Sequence, residues 1–122
     1  MSANPLFRLG HVEVFVTDIP RARAFWEGVL GFEVCDVQCD GRVVWLRHGE
    51  REFLLRPGTP PGPGARYGRS GPAVILYTDD LEGTLEALRA RGLTVQGDDG
   101  PGCPCFHDPD GNWFQLVDPR HP

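Results

Sequence analysis

The fold is decided by the stretch HVEVFVTDIPRARAFWEGVLG, residues 11–31. Its first residues alternate, with valine at every second position, which is typical of a half-buried strand. The residues that follow have Pro20 where the first turn of a helix tolerates proline, then apolar residues at helical spacing, and Gly31 as a stop. The stretch therefore predicts a strand followed by a helix over residues 19–31.

The rest of the chain continues this pattern and then repeats it. Three further strands are predicted in the first half, at residues 32–39, 41–49 and 51–57. The segment 57–72 is so rich in proline and glycine that it predicts a linker or a mobile loop rather than regular structure. After it we predict a strand at 73–80, a helix at 81–92, and strands at 93–97, 103–108 and 112–118.

The two halves also share residues at a nearly constant offset. An offset of 62 matches Val12 to Val74, Phe15 to Tyr77 and Asp18 to Asp80. An offset of 61 lays GFEV (31–34) on GLTV (92–95) and FLLRP (53–57) on FQLVD (114–118). Several matches in the same order of elements indicate a duplication. The sequence therefore predicts an α+β fold built from two βαβββ modules.

Composition restricts the function classes. A chain of 122 residues is expected to form one domain, residues 1–122. The formal net charge of −5 and the lack of a basic stripe argue against nucleic acid. All 12 basic residues are arginine, which excludes Schiff-base and P-loop lysine chemistry. No apolar run reaches the roughly 20 residues of a membrane span, and no signal peptide is evident, so we expect a cytoplasmic protein without a membrane partner.

Residues 11–34, 73–95 and 106–118 together resemble the vicinal oxygen chelate superfamily, which includes glyoxalases, bleomycin resistance proteins and extradiol dioxygenases. The resemblance implies one domain with module one at residues 8–57, a linker at 58–72 and module two at 73–119. It further implies a curved mixed sheet around a cleft, and a homodimer in which modules pair within or between chains.

In metal-dependent members of this superfamily, four side chains of the cleft hold a divalent ion. The resemblance implies that these four metal-binding positions correspond to His11, Leu54, Ala73 and Gln115 of this chain. Leucine and alanine offer no lone pair, and an amide is a weaker ligand than a carboxylate, so we expect no metal cofactor. A fourth strand slipped by two residues would put Glu52 in place of Leu54, which leaves a divalent ion on His11, Glu52 and Gln115 as the alternative.

Residues two apart on a strand point to the same side of the sheet. The residues two positions from these four are therefore also expected to face the cleft and to form a ligand-binding face. The opposite side is entirely apolar, as a core face should be. A planar amphipathic ligand is expected to stack on aromatic residues of the cleft, and Glu13 is a possible general base. The predicted ligand contacts are His11, Glu13, Phe15, Glu52, Leu54, Arg56, Tyr77, Trp113 and Gln115.

These observations predict a small-molecule-binding protein that works without metal and sequesters its ligand, as antibiotic resistance proteins of the bleomycin type do. The alternative is a metal-dependent lyase, isomerase or dioxygenase with an altered metal set. A third reading is an interaction module without a ligand. The sequence leaves open whether the chain is an enzyme, and it identifies no catalytic residue.

Overall fold

The computed structural model describes residue 6, residues 8–98 and residues 103–120. Module one contains β1 (Val12–Val16), α1 (Ile19–Arg23) with a π-helical continuation (Ala24–Val29), β2 (Glu33–Gln38), β3 (Val43–His48) and β4 (Arg51–Pro57). Module two contains β5 (Ala73–Tyr77), α2 (Leu81–Ala90), β6 (Gly97–Asp98), β7 (Pro104–His107) and β8 (Trp113–Val117). None of the helices in the described part of the chain is long and apolar enough to cross a bilayer.

Each module forms its own four-stranded mixed sheet with the same strand order. The sheets run β1-β4-β3-β2 and β5-β8-β7-β6, with a parallel pair at one edge and antiparallel pairs elsewhere. The register agrees as well, because Glu13 pairs with Leu54 in one sheet and Ile75 pairs with Gln115 in the other. The predicted α+β fold of two βαβββ modules is confirmed.

The two helices begin in the same way, which is a local trace of the duplication. The carboxylate of Asp18 accepts a hydrogen bond from the Arg21 amide at 3.1 Å, and the carboxylate of Asp80 accepts one from the Gly83 amide at 3.0 Å. An aspartate that caps a helix in this way satisfies one of the free amide groups of the first turn. The pair Asp18 and Asp80 is separated by the same offset that the sequence predicted.

Both sheets contribute to one hydrophobic core, and α1 with its π-helical continuation joins them. The ring of Trp26 lies 5.6 Å from that of Phe53 on β4 and 4.9 Å from that of Phe114 on β8. Its indole nitrogen donates to the carboxylate of Asp108 at 3.0 Å. The predicted core face is mostly buried; Val12, at the beginning of the edge strand β1, is 52% exposed.

One predicted strand differs from the structure. The strand expected at 93–97 is only the two-residue strand Gly97–Asp98. The amide of Leu93 still donates to the carbonyl of Leu88 at 3.0 Å, and the Leu93 side chain is buried in the core. The chain after α2 is therefore tied to the helix end and reaches the sheet four residues later than predicted.

Candidate functional site

The predicted ligand contacts lie mostly on two surfaces, one on each sheet, on the side opposite the shared core. We call His11, Glu13, Trp45, Glu52, Leu54 and Arg56 the module-one face, and Cys105, His107, Trp113 and Gln115 the module-two face. Strand pairing fixes a central row on each face. The row is Glu13, Leu54 and Trp45 in module one, and Ile75, Gln115 and Cys105 in module two.

The module-one face is polar around a buried leucine. Arg56 Nη1 lies 3.1 Å from Glu13 Oε1, and His11 Nε2 lies 3.9 Å from the same oxygen. The ring of His11 also contacts that of Trp45 edge to face, with centroids 4.5 Å apart. Arg56 and His11 therefore approach the same carboxylate oxygen of Glu13, so that this side chain is engaged by its neighbours within the face.

A groove of about 720 Å³ runs along the module-one face, beside His11 and Trp45. Its lining carries charges of both signs. The charged residues are Arg8, Arg47, Asp36, Glu50 and Glu52. A groove with three carboxylates and two guanidinium groups offers no net attraction to an anion.

The module-two face is covered by part of the proline- and glycine-rich segment. The indole nitrogen of Trp113 donates to the carbonyl of Ala65 at 3.0 Å, and the ring of Tyr67 lies 5.6 Å from that of Trp113. The amide of Gly62 donates to the carbonyl of Asp110 at 2.8 Å. Trp113 is consequently only 7% exposed, and Gln115, two residues further along β8, is 8% exposed. We call residues 62–67 the strap.

The strap was not foreseen as part of a site. The sequence predicts segment 57–72 to be a linker or a mobile loop, and it has no helix or strand after Pro57. Within it, however, the strap packs on the face that carries two of the predicted ligand contacts. The one signal that could have revealed this is Tyr67, the single aromatic residue of a segment otherwise made of small and polar residues.

A groove of about 410 Å³ lies between the strap and the module-two face. This volume is within the range of small-molecule sites. The ring of His107 borders it and contacts Trp113 edge to face at 4.9 Å, and His107 Nδ1 lies 2.7 Å from the carbonyl of Asp108. A carbonyl only accepts, so Nδ1 carries the proton and the imidazole is held in place. Sequence reasoning did not select His107.

Two predicted contacts lie apart from these grooves. Tyr77 is 74% exposed and lines another groove, of about 650 Å³, together with Phe32, His48 and Arg51. Phe15 lines a smaller cavity of about 280 Å³ with Glu13 and Trp113, which is where residues of the two faces come together. The structure thus distributes the nine predicted residues over several surfaces of one chain.

The residues at the four inherited metal positions do not fit a divalent ion within one chain. Only His11 and Gln115 have side-chain donor atoms; His11 directly precedes β1 in module one, and Gln115 lies on β8 in module two. In the described ranges no group of three or more His, Cys, Asp or Glu could hold a metal ion. The register also keeps Leu54, not Glu52, in the place equivalent to Gln115. An amide and one imidazole are a poor set for a 2+ charge.

Comparison with known proteins places this arrangement in a family. The model of the Glyoxalase/Bleomycin resistance protein/Dioxygenase superfamily matches residues 8–116. The chain belongs to this superfamily, and the predicted resemblance is confirmed. None of the curated proteins compared with the chain matches it.

Solved structures agree with this assignment. An antibiotic binding protein, TnmS3 from Streptomyces sp. CB03234, is 25% identical, with 92% of this chain and 98% of that chain covered and a TM-score of 0.65. A protein from the mobile metagenome of V. pseudocholerae is 27% identical, with 94% of this chain and 96% of that chain covered and a TM-score of 0.67. Fosfomycin resistance protein FosX from Mesorhizobium loti, 19% identical, covers 93% of both chains at a TM-score of 0.69 and shares the fold.

Proposed function

We propose that the chain binds a planar, amphipathic small molecule without a metal ion and sequesters it. The ligand stacks on Trp113 of the module-two face. Polar groups beside it, the amide of Gln115 among them, orient the ligand by hydrogen bonds. A mostly apolar site with a few placed polar groups is the usual composition of small-molecule pockets.

The observation that carries the proposal is the side-chain set at the four inherited metal positions. Leu54 is 5% exposed and Ala73 has no donor atom, so half of the expected coordination is hydrocarbon. The same superfamily scaffold retains an aromatic residue, Trp113, in the lining of a groove of suitable volume, and an amide, Gln115, whose Nε2 contacts Cys105 of that lining at 3.8 Å. Loss of ligating atoms together with a retained groove favours binding over metal-assisted chemistry. The likeness to an antibiotic binding protein adds support.

Two measurements on the purified full chain test the proposal. Protein prepared without chelator is analysed for metals, and we expect far less than one equivalent per chain. The same preparation is then titrated with a panel of planar aromatic probes that includes 2-naphthamide and 2-naphthoate. We expect binding to wild type, retention in Trp113→Phe, which keeps a ring, and a loss of about tenfold or more in Trp113→Ala, which removes the stacking surface.

One equivalent of metal per chain would overturn the proposal, and so would a panel in which no probe binds. Trp113→Ala is expected to destabilise the fold, since the side chain is buried. Affinities are therefore compared below the unfolding transition of every variant, with Trp113→Phe as the matched control for packing.

A second candidate is a metal-dependent lyase, isomerase or dioxygenase, favoured by the donor atoms that His11 and Gln115 retain at two of the four inherited metal positions. Such an enzyme would use His11 and Glu52 from one face and Gln115 from the other. It predicts bound Ni, Zn, Mn or Fe that is lost in His11→Ala. Metal analysis of wild type and this variant separates the two candidates.

We further propose a homodimer. The two faces lie on different sheets of one chain, and β1 and β5 are edge strands with exposed apolar side chains such as Phe15 and Ile75. A second copy would cover these edges and place a module-one face against a module-two face. Light scattering coupled to size exclusion should give twice the chain mass, and a mass equal to one chain across micromolar concentrations would refute the dimer.

A further inference from the structure

The groove under the strap differs in charge from the rest of the molecule. The chain has 17 acidic and 12 basic residues. The lining of this groove nevertheless includes one arginine, Arg66, and no aspartate or glutamate among the described residues. The groove on the module-one face, in contrast, is lined by three carboxylates and two arginines. Among the described residues of the lining, the strap thus supplies an arginine and the strands supply no carboxylate.

The guanidinium of Arg66 is available for a ligand. Within the described part of the chain, ion pairs engage Arg21, Arg23, Arg47, Arg56 and Arg120, and Arg66 is not among them. Its side chain is exposed at the edge of the groove. A guanidinium group matches the geometry of a carboxylate or phosphate and can donate two parallel hydrogen bonds to it.

Three rings border the same groove and are held in place by contacts to one another. Tyr67 and His107 each meet the ring of Trp113 at a steep angle, 78° and 73° respectively. The indole of Trp113 is fixed by its hydrogen bond to Ala65, and the imidazole of His107 by the carbonyl of Asp108. Rigid aromatic walls favour a planar ring system, because little side-chain entropy is lost on binding.

We propose that the groove under the strap selects planar aromatic ligands that carry an anionic group, with the ring held beside Trp113 and Tyr67 and the anion paired with Arg66. This inference rests on the proposed function and specifies its ligand class. It also makes Arg66 and Tyr67, both from the strap, the residues that determine specificity: Arg66 selects the charge and Tyr67 the shape.

The test compares two probes that differ in charge and share a ring system, 2-naphthoate and 2-naphthamide. Dissociation constants are measured by isothermal titration calorimetry on the full chain at low ionic strength. Wild type should bind the naphthoate about threefold to tenfold more tightly, which is the range for a partly exposed charge-assisted hydrogen bond. Added salt should reduce this preference, because it screens the pairing with an exposed guanidinium.

Four variants test which side chains cause the difference in affinity between the two probes. Arg66→Gln should bind the two probes equally, whereas Arg69→Gln, the matched charge control in the same segment and outside the groove lining, should keep the wild-type preference. Tyr67→Ala should weaken both probes by a similar factor, because it removes a wall and no charge. Tyr67→Phe keeps the ring and should restore most of the affinity.

Several outcomes would overturn the inference. Equal affinity for the two probes in wild type would do so, as would a preference that survives in Arg66→Gln or falls equally in Arg69→Gln. If the amide binds as well as the acid and both depend on Trp113, the inference fails and the proposed function stands. If neither naphthalene probe binds while other panel members do, the inference again fails alone. If no member of the panel binds, both fail.

Discussion

The two modules have the same backbone plan and opposite side-chain arrangements at their centres. In module one the central row places Leu54 between Glu13 and Trp45, so an apolar residue is flanked by more polar ones. In module two it places Gln115 between Ile75 and Cys105, so the polar residue is at the centre. The duplication has preserved strand order, register and helix caps. The side chains of the two faces differ on this shared backbone.

The strap makes the second difference between the modules. It covers the module-two face and leaves the module-one face with its exposed ion pairs, such as that of Glu13 and Arg56. Of the two faces, that of module two is therefore the more enclosed. The strands of the two modules are arranged symmetrically. The segment that connects the modules breaks this symmetry, because it covers only one of the two faces.

The largest effect is expected in the core that the modules share. Trp26 in module one and Leu88 in module two are 62 positions apart and both are buried. Trp26→Ala should lower the free energy of unfolding by about 3 to 5 kcal/mol, because Trp26 contacts both sheets, and Leu88→Ala by about 2 kcal/mol. Urea denaturation measures both values. Two separate unfolding transitions, or equal losses, would contradict a core joined through Trp26.

A smaller effect is expected at the two hairpin glycines, Gly49 and Gly111, which are also 62 positions apart. Both have positive φ, +60° and +84°. A Cβ on Gly49 meets open space, while one on Gly111 would overlap the carbonyl oxygen of Gly62 in the strap. Gly49→Ala should cost about 1 kcal/mol from the backbone alone. Gly111→Ala should cost about 2 to 4 kcal/mol, because steric overlap is added.

Proteolysis shows whether the extra cost at Gly111 comes from the strap. Trypsin can cleave after Arg66, and displacement of the strap should raise the rate of this cleavage in Gly111→Ala but not in Gly49→Ala. Similar losses of stability in the two variants, with unchanged cleavage after Arg66, would mean that Gly62 moves away from the added methyl group without cost.

Most of the fold could be predicted from local sequence signals. The alternating valines of β1, the capping aspartates Asp18 and Asp80, and the constant offset between halves depend on near neighbours or on a repeat, and both are visible in one sequence. The short β6 could not be predicted in this way. Leu93 has the pattern of a strand residue, but the shared core takes its side chain, and that is a tertiary effect.

The alternation of side chains along the strands predicts only part of the candidate site. Alternation assigns residues to a side of a sheet, and the register confirms that Leu54 and Gln115 are equivalent positions. It does not say what covers that side. The position of Tyr67 over Trp113 depends on the path of a segment without regular structure, which has no periodicity to read. Tyr77, at the end of the edge strand β5, is 74% exposed and lies outside both faces.

Exchanging the central residues of the two rows should have unequal consequences. Leu54→Gln places an amide at a site that is 5% exposed and should cost about 1 to 3 kcal/mol. Gln115→Leu exchanges an amide for a side chain of similar size at an equally buried site, and should change the free energy of unfolding by about 1 kcal/mol or less. If urea denaturation gave the same loss of free energy of unfolding for both variants, the two central positions would tolerate an amide and an apolar side chain equally well.

The smallest effect concerns one hydrogen bond between the strap and the module-two face, that from Trp113 to Ala65. Trp113→Phe removes the indole N–H that donates to Ala65, and Trp45→Phe removes the equivalent group that donates to the Gln38 amide oxygen at 3.3 Å on module one. A net loss of about 1 kcal/mol should raise tryptic cleavage after Arg66 about fivefold in the first variant only.

This result separates two ways in which the strap can be held. If cleavage after Arg66 is unchanged in Trp113→Phe, the ring contact of Tyr67 and the hydrogen bond from Gly62 to Asp110 suffice to hold the strap, and the Trp113 N–H is free to turn toward a ligand. If cleavage rises in both variants, the modules are coupled through the shared core. A rise in Trp113→Phe alone makes the strap a local property of module two, as the asymmetry between the faces requires.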